Sequence, residues 1–204
     1  MEHNPTMPIS RLETARLTLR GFTAPDRHPF AAMNQDPEVM AFMSRRLDRS
    51  ASNLFMERIR EHWDAQGFGL WALERRSDGA FLGFAGLSVP AFEAPFMPAV
   101  EVGWRLVKEA WGHGYATEAG SAALNFGFTG LGLREIVSFT AVGNDRSRRV
   151  MERIGMTHDP RDDFDYPFVP PGHAVHRQVL YRLPLMTWQQ PLDHSGRPSS
   201  VEPA

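Results

Sequence analysis

Residues 111–119 read WGHGYATEA, two glycines one residue apart followed at once by a good helix former. A turn of that kind entering a helix collects free backbone N–H groups and the positive end of the helix dipole at one place. An anion such as a pyrophosphate binds there without a lysine. Gly112 and Gly114 let the loop come close to phosphates, and His113 between them offers a ring donor. Ala116 keeps the helix start small, and Thr117 adds a hydroxyl on the first turn. The same glycines also serve a plain strand-to-helix turn. No Gly-Lys-Ser/Thr follows, so this is not a Walker loop, and the spacing is not a dinucleotide fingerprint.

A second junction lies downstream, where the strand-like REIVSFTAV runs into GNDRSRRVMERIGM. Asn144 leaves the strand, Ser147 sits on the opening turn of a helix and Gly155 closes it. Asn, Asp and Ser are equally the ordinary helix caps. Upstream, VEVGWRLV alternates Val100, Val102, Trp104 and Leu106 onto one strand face, and Glu101 with Arg105 onto the other. A carboxylate so placed can accept a proton from a reacting group, or it can sit at the surface paired with Arg105, a contact worth little. Asp163, Asp165, His173 and His176, in a late loop rich in Pro and Asp, are lesser candidates suited to substrate recognition. Arg148 and Arg149 either reach a phosphate or face solvent. Trp63, Trp71 and Trp104 fall on apolar stripes, the pattern of a core.

Composition bounds the elements that must position these groups. A chain of 204 residues holds one domain with a sizeable core. A formal charge of −2 gives no electrostatic support for a nucleic-acid or anionic-membrane partner. The absence of cysteine removes disulfides, thiolate metal sites and a cysteine nucleophile, and suits a reducing cytosol. No metal site is expected. The start lacks a basic region followed by an apolar run, and no stretch reaches the roughly 18–20 apolar residues of a membrane helix, so a soluble, cytoplasmic protein is expected.

RLETARLTLRGFT alternates as a half-buried strand around Leu17 and Leu19. Asp26 and Asp36, with Pro37, start two short helices. SASNLFMERIREHWDAQG predicts a helix with Leu54, Phe55, Ile59 and Trp63 on one face, capped by Ser50 or Ser52 and ended by Gly67. FGLWALERR and AFLGFAGLS form a hairpin about Asp78-Gly79. Strand VEVGWRLV, helix ATEAGSAALNFGF, strand REIVSFTAV, helix RSRRVMERIG and strand RQVLYRL follow. The pattern is α/β or α+β in one domain over residues 10–184, with residues 1–9 and 185–204 as peripheral tails.

Together the two junctions resemble those of the GNAT superfamily of acetyl-CoA-dependent N-acetyltransferases. Its phosphate loop is Arg/Gln-x-x-Gly-x-Gly/Ala, and WGHGYA sets Trp111, Gly114 and Ala116 on the fixed positions, with Trp111 departing from Arg or Gln. The form WGxGYATEA looks like the ribosomal-protein N-acetyltransferase branch, the RimJ/RimL-like enzymes. That branch also has ETxRLxLR, matched by Glu13 to Arg20, and NxxSxRVMExxGM, matched by Asn144 to Met156. HxxxRxxLYRL is matched loosely by His173 to Leu183. The resemblance spans residues 10–184.

It implies a mixed, mostly antiparallel twisted sheet of about seven strands, helices on both faces and splayed central strands. It implies acetyl-CoA as co-substrate, held by the loop from Gly112 through Tyr115 to Thr117, by Asn144 and Ser147, and by the backbone of Leu106 and Val107. The chemistry is attack of an amine on a thioester, which needs an oxyanion donor, a base and support for the departing thiolate. Glu101 is the base candidate and Ser147 the remaining hydroxyl near the sulfur. The tyrosine many relatives carry seven residues after the matched Asn is Met151 here. A protein N-terminal α-amine is the favoured acceptor, because its reference pKa of about 7.7–8.0 lies well below lysine's 10.4. A small-molecule amine, or a non-catalytic acetyl-CoA-binding module, stays open, as does a homodimer.

Overall fold

In the computed structural model, which describes residues 11–189, Leu17 and Leu19 lie fully buried on strand β2 (Leu17–Arg20). This strand pairs with β1 (Leu12–Glu13) on one side and β3 (Leu70–Arg75) on the other. The sheet continues through β4 (Phe81–Ser88), β5 (Glu101–Leu106), β6 (Glu135–Ala141) and β9 (Arg177–Pro184). β7 (Thr157–His158) and β8 (Phe164–Asp165) both pair with β9. About seven strands were expected. There are nine among the described residues, because three two-residue pieces, β1, β7 and β8, join the longer six.

Every pairing is antiparallel except β5 with β6. These two central strands meet only at Glu101 and Val137, where the Val137 amide donates to the Val100 carbonyl at 2.9 Å. Past that point β5 and β6 share no further register pair, and the facing backbone groups of β5 need other partners. The sheet is splayed at its centre.

Helices cover both faces. Phe84 of β4 registers with Arg105, and its ring lies 5.9 Å from Phe30 and 5.8 Å from Phe55. Those two residues belong to α1 (Arg27–Gln35) and α2 (Arg49–Gln66). On the opposite face Trp104 packs beneath α3 (Tyr115–Asn125), where a Cβ added to Gly120 would meet the indole and Ile154 at 3.5 Å. Ile154 directly follows α4 (Asp145–Arg153).

Local chemistry explains where the expected elements hold and where they do not. Asp78 and Gly79 turn the β3–β4 hairpin, with Gly79 at φ +73°. Gly67, also at φ +73°, ends α2, as its sequence predicts. The cap at the start of α2 is Asp48, which accepts from the Ala51 amide at 2.7 Å, and not Ser50 or Ser52. Ser52 instead turns inward to accept from Asn34. Leu54, expected on the buried face, is 58% exposed. The helix expected after Asp36 does not form. Asp36 Oδ1 holds the Glu38 and Val39 amides and Met40 N closes on the Asp36 carbonyl, giving turns that carry Phe42 and Met43 to the sheet's cleft. Residues 185–189 add a turn whose Trp188 ring lies 4.9 Å from Phe128. Residues 1–9 lie outside the described residues, as does the rest of the expected C-terminal tail. No helix among the described residues is long and apolar enough to cross a membrane.

Candidate active site

A groove of about 400 Å³ opens where β5 and β6 part. The loop after β5 forms one wall. Gly112 and Gly114 sit at φ +78° and +80°, and a Cβ on Gly112 would meet nothing within 4 Å, so the loop faces open space. Side chains resist that left-handed backbone, which explains the glycines. Gly114 caps α3, whose first-turn amides at Tyr115, Ala116 and Thr117 have no intrahelical acceptor. The loop is held from outside. Arg16 donates to the His113 carbonyl at 2.8 Å and to Glu118 at 2.7 Å, with its guanidinium 4.7 Å above the Tyr115 ring. Tyr115 is therefore a buried prop, and His113 is exposed against it and does not line the groove.

The strand side of the groove follows from register. The Val107 amide donates to the Leu82 carbonyl at 3.0 Å, so odd-numbered residues of β5 turn their backbone groups to β4. Those of Trp104 and Leu106 turn to the gap left by β6. Trp111 donates from Nε1 to the Leu106 carbonyl at 3.1 Å, tying the loop to the end of the strand.

The third wall is α4. Asn144 caps it, accepting from the Ser147 amide at 3.4 Å and donating to Ser147 Oγ at 3.0 Å and to Thr140 at 2.8 Å. Because the Ser147 oxygen accepts, its own proton is left to donate into the groove. Arg146, Arg149 and Arg153 line the groove at helical spacing, and none has an ion-pair partner among the described residues. Arg146 lies 4.2 Å over the Trp111 ring. The walls supply amide N–H groups, a helix N-terminus and three uncompensated cations, a donor set for a pyrophosphate and its neighbouring phosphates.

A larger cavity, about 670 Å³, adjoins the groove and shares Phe42, Met43 and Arg105 with it. Glu101 is on its wall, opposite Ser88 in the β4 register, and burial pushes its carboxyl pKa up to about 8 although Ser88 hydrogen-bonds to it. Burial raises the Tyr166 phenol pKa, and the nearby Glu101 charge adds to it. Arg105 does not pair with Glu101. Four residues apart on a strand they are separated by about 13 Å of rise. Arg105 donates to Asn34 Oδ1 at 2.7 Å and Met43 Sδ at 3.0 Å between the Phe55 and Phe84 rings, and burial pushes its pKa down to about 10.

Residues 16–157 match the family model described as an acetyltransferase (GNAT) domain. The chain belongs to the GNAT acetyltransferase family. It is 32% identical over 184 residues to FsC-acetyl coenzyme A-N(2)-transacetylase of Aspergillus fumigatus, covering 87% of this chain and 77% of that protein. It is 30% identical over 148 residues to the Bacillus subtilis protein YkkB, covering 72% and 85%. An acetyltransferase from Agrobacterium tumefaciens superposes with a TM-score of 0.70 at 27% identity, covering 90% of this chain and 99% of that one. The protein is thus an acyltransferase of the GNAT type, moving acetyl from its co-substrate acetyl-CoA to an amine.

Within the GNAT frame several expectations change. The backbones of Leu106 and Val107 cannot both face the gap, since consecutive strand residues point their amides to opposite sides; those of Trp104 and Leu106 face it. Met151 is buried in the core, so the position that holds tyrosine in many relatives is not on the groove. Arg148 donates to the Val142 carbonyl at 3.2 Å and does not line the groove, whereas Arg146 and Arg153, not singled out from sequence, do. Their i, i+3, i+7 spacing was the available signal. Asp163 is held by His158 at 2.7 Å, and Asp165 by Arg177 at 3.1 Å with His176 nearby. Neither they nor His173 line the groove or the cavity; Tyr166, Phe168 and Val175 of that loop line the cavity instead. Trp63 and Trp71 are core, as their stripes predict.

Proposed function

We propose that this GNAT enzyme acetylates an α-amine, that of a protein N-terminus, by direct attack on the thioester. The observation that carries the reading is Glu101, a carboxyl whose pKa is pushed to about 8 on a cavity that opens into the co-substrate groove. A base works best when its pKa lies near that of the group it serves. An α-amine titrates at about 7.7–8.0, so transfer of its proton to Glu101 is close to neutral in energy, while lysine at about 10.4 would be uphill by about 3 kcal/mol.

In this reading the amides of Gly112 to Thr117 hold the pyrophosphate, helped by Arg146, Arg149 and Arg153. The backbone of Trp104 and the Leu106 amide align the pantetheine arm, the Leu106 carbonyl being held by Trp111. The amine nitrogen forms a bond to the thioester carbon, the carbon–sulfur bond breaks, Glu101 takes the amine proton, and the sulfur leaves as a thiolate that accepts a hydrogen bond from the Ser147 hydroxyl, with Asn144 fixing that hydroxyl. The absence of cysteine suits a cytosolic setting. The motifs at Glu13 to Arg20 and Asn144 to Met156 support the ribosomal-protein branch.

A small-molecule amine is the second reading, favoured by the name of the fungal transacetylase relative. Radiolabelled acetyl-CoA added with the protein to a lysate separates the two. Label at polypeptide N-termini is the expected result, and label confined to the small-molecule fraction would replace the first reading with the second.

A further inference from the structure

We infer that the amine acceptor carries a carboxylate, which Arg105 holds beside the reacting nitrogen. The inference rests on the acetyl-transfer reading and adds the chemical class of its acceptor. Three observations carry it. First, Arg105 is a largely enclosed guanidinium between two phenyl rings whose hydrogen-bond partners are an amide oxygen and a thioether, and its Nε has none. No carboxylate pairs with it among the described residues. A buried cation in that state is costly, and an incoming anion offsets the cost.

Second, Arg105 lines both the groove and the cavity, at the seam where thioester carbon and amine nitrogen must meet. Glu101 and Arg105 share the cavity wall with about 13 Å of strand rise between them at the backbone, so an acceptor whose amine meets Glu101 has its anion on the Arg105 side. The co-substrate does not supply it, because its phosphates are matched by the glycine loop and by Arg146, Arg149 and Arg153 at the other walls.

Third, the cavity is cationic beyond Arg105. Arg45 and Arg58 line it without ion pairs among the described residues, and His62, whose pKa burial pushes down, is a neutral ring there with Nε2 buried and without a hydrogen-bond partner. Glu101 is the only carboxylate on its wall among the described residues. The rest is largely apolar, with the rings of Phe42, Phe55, Phe92, Phe139, Tyr166 and Phe168 set among aliphatic side chains. The acceptor that fits is an apolar or aromatic amine with an acid group close to the nitrogen, either a free amino acid or an acidic first residue of a peptide.

Matched acceptors test this with the full chain and acetyl-CoA, following free-thiol release and correcting each rate for the fraction of neutral amine. Phenylalanine against phenylalaninamide probes the free amino acid. Asp-Phe-amide against Asn-Phe-amide probes the acidic peptide. In one pair the carboxylate member should lead by about 10- to 100-fold in kcat/KM, the range of a hydrogen bond to a charged group. Arg105→Gln should abolish that preference and Arg105→Lys retain part of it, with the acetyl-CoA Kd unchanged in both.

Equal rates within both pairs overturn the inference. So does an Arg105→Gln protein that loses acetyl-CoA affinity with the ratios intact, because the guanidinium then serves the pantetheine arm. If Arg105→Gln does not fold, the wild-type ratios and Arg105→Lys decide. If no amine is acetylated, calorimetry on the same pairs separates the two ideas. Tighter binding of the carboxylate members, weakened by Arg105→Lys, upholds the anion site and removes the transfer reading, and no difference in binding removes the anion site as well.

Discussion

Replacing Glu101 by glutamine should make the protein more stable, and by an amount that grows with pH. Burial holds the folded carboxyl near pKa 8, whereas in the unfolded chain it ionises near 4.5. Between those values the folded state binds the proton and the unfolded state does not, so wild-type stability falls as pH rises. The favourable contribution is complete below pH 4.5 and lost once pH passes 8. A separation of 3.5 units at 1.36 kcal/mol each puts the full loss at about 5 kcal/mol, with about 3 kcal/mol of it already gone at pH 7. Glutamine keeps the shape and has no proton to lose. Urea unfolding of both proteins at unit steps from pH 5 to pH 9 measures the difference directly. The gap should widen by somewhat more than 1 kcal/mol per unit through pH 7 and level off near pH 9. A gap independent of pH would mean that Glu101 ionises normally in the fold, and the match between its pKa and that of an α-amine would disappear with it.

The same variant should lower kcat by at least about 100-fold and remove an acidic limb centred near pH 8 from the pH–rate profile; a tenfold loss with the limb intact would leave Glu101 a positioning role. Arg149→Ala and Arg153→Ala should each raise the acetyl-CoA Kd by about tenfold or more and flatten its salt dependence. Arg148→Ala, off the groove, should leave that Kd unchanged when measured by calorimetry. Gly114→Val should remain folded but lose acetyl-CoA binding, because φ +80° suits glycine and the new side chain would press on the Arg16 guanidinium that holds the loop in shape; retained affinity would take the loop out of the binding site.

What could be read from sequence was local. A pair of glycines before a helix, and an Asn with a Ser three residues on, declare a turn and a cap within a few residues, and both stand where expected. The Asp78-Gly79 hairpin is legible for the same reason. What escaped depends on pairs of distant segments. Which amides of β5 face the gap is decided by its register with β4, and so Val107 was taken for a donor to the co-substrate when its amide was already committed to Leu82. Ser88 and Tyr166 flank Glu101 only because β4 lies beside β5 and the late loop folds over the cavity. Asp163 and Asp165 lie off the groove and the cavity, held by His158 and Arg177, contacts that no single stretch of sequence announces. Leu54 fits an apolar stripe, but α2 turns that edge outward.

Arg16 reaches across the sequence to its clamp on the glycine loop. Its amide and side chain hold Glu118, 102 positions later in the chain, and Thr14 adds a hydroxyl to the same carboxylate at 2.6 Å. Ordering this contact closes a chain loop of that length, and long-range closures of this kind slow folding and tie distant segments into one cooperative unit. During synthesis the opening strand leaves the ribosome long before Glu118 exists, so the loop cannot take its clamped form until more than half of the chain has been made. Loss of the exposed Arg16 clamp, with the buried Leu17 and Leu19 beside it left in place, would then register as a loosened glycine loop well before it registered as lost fold.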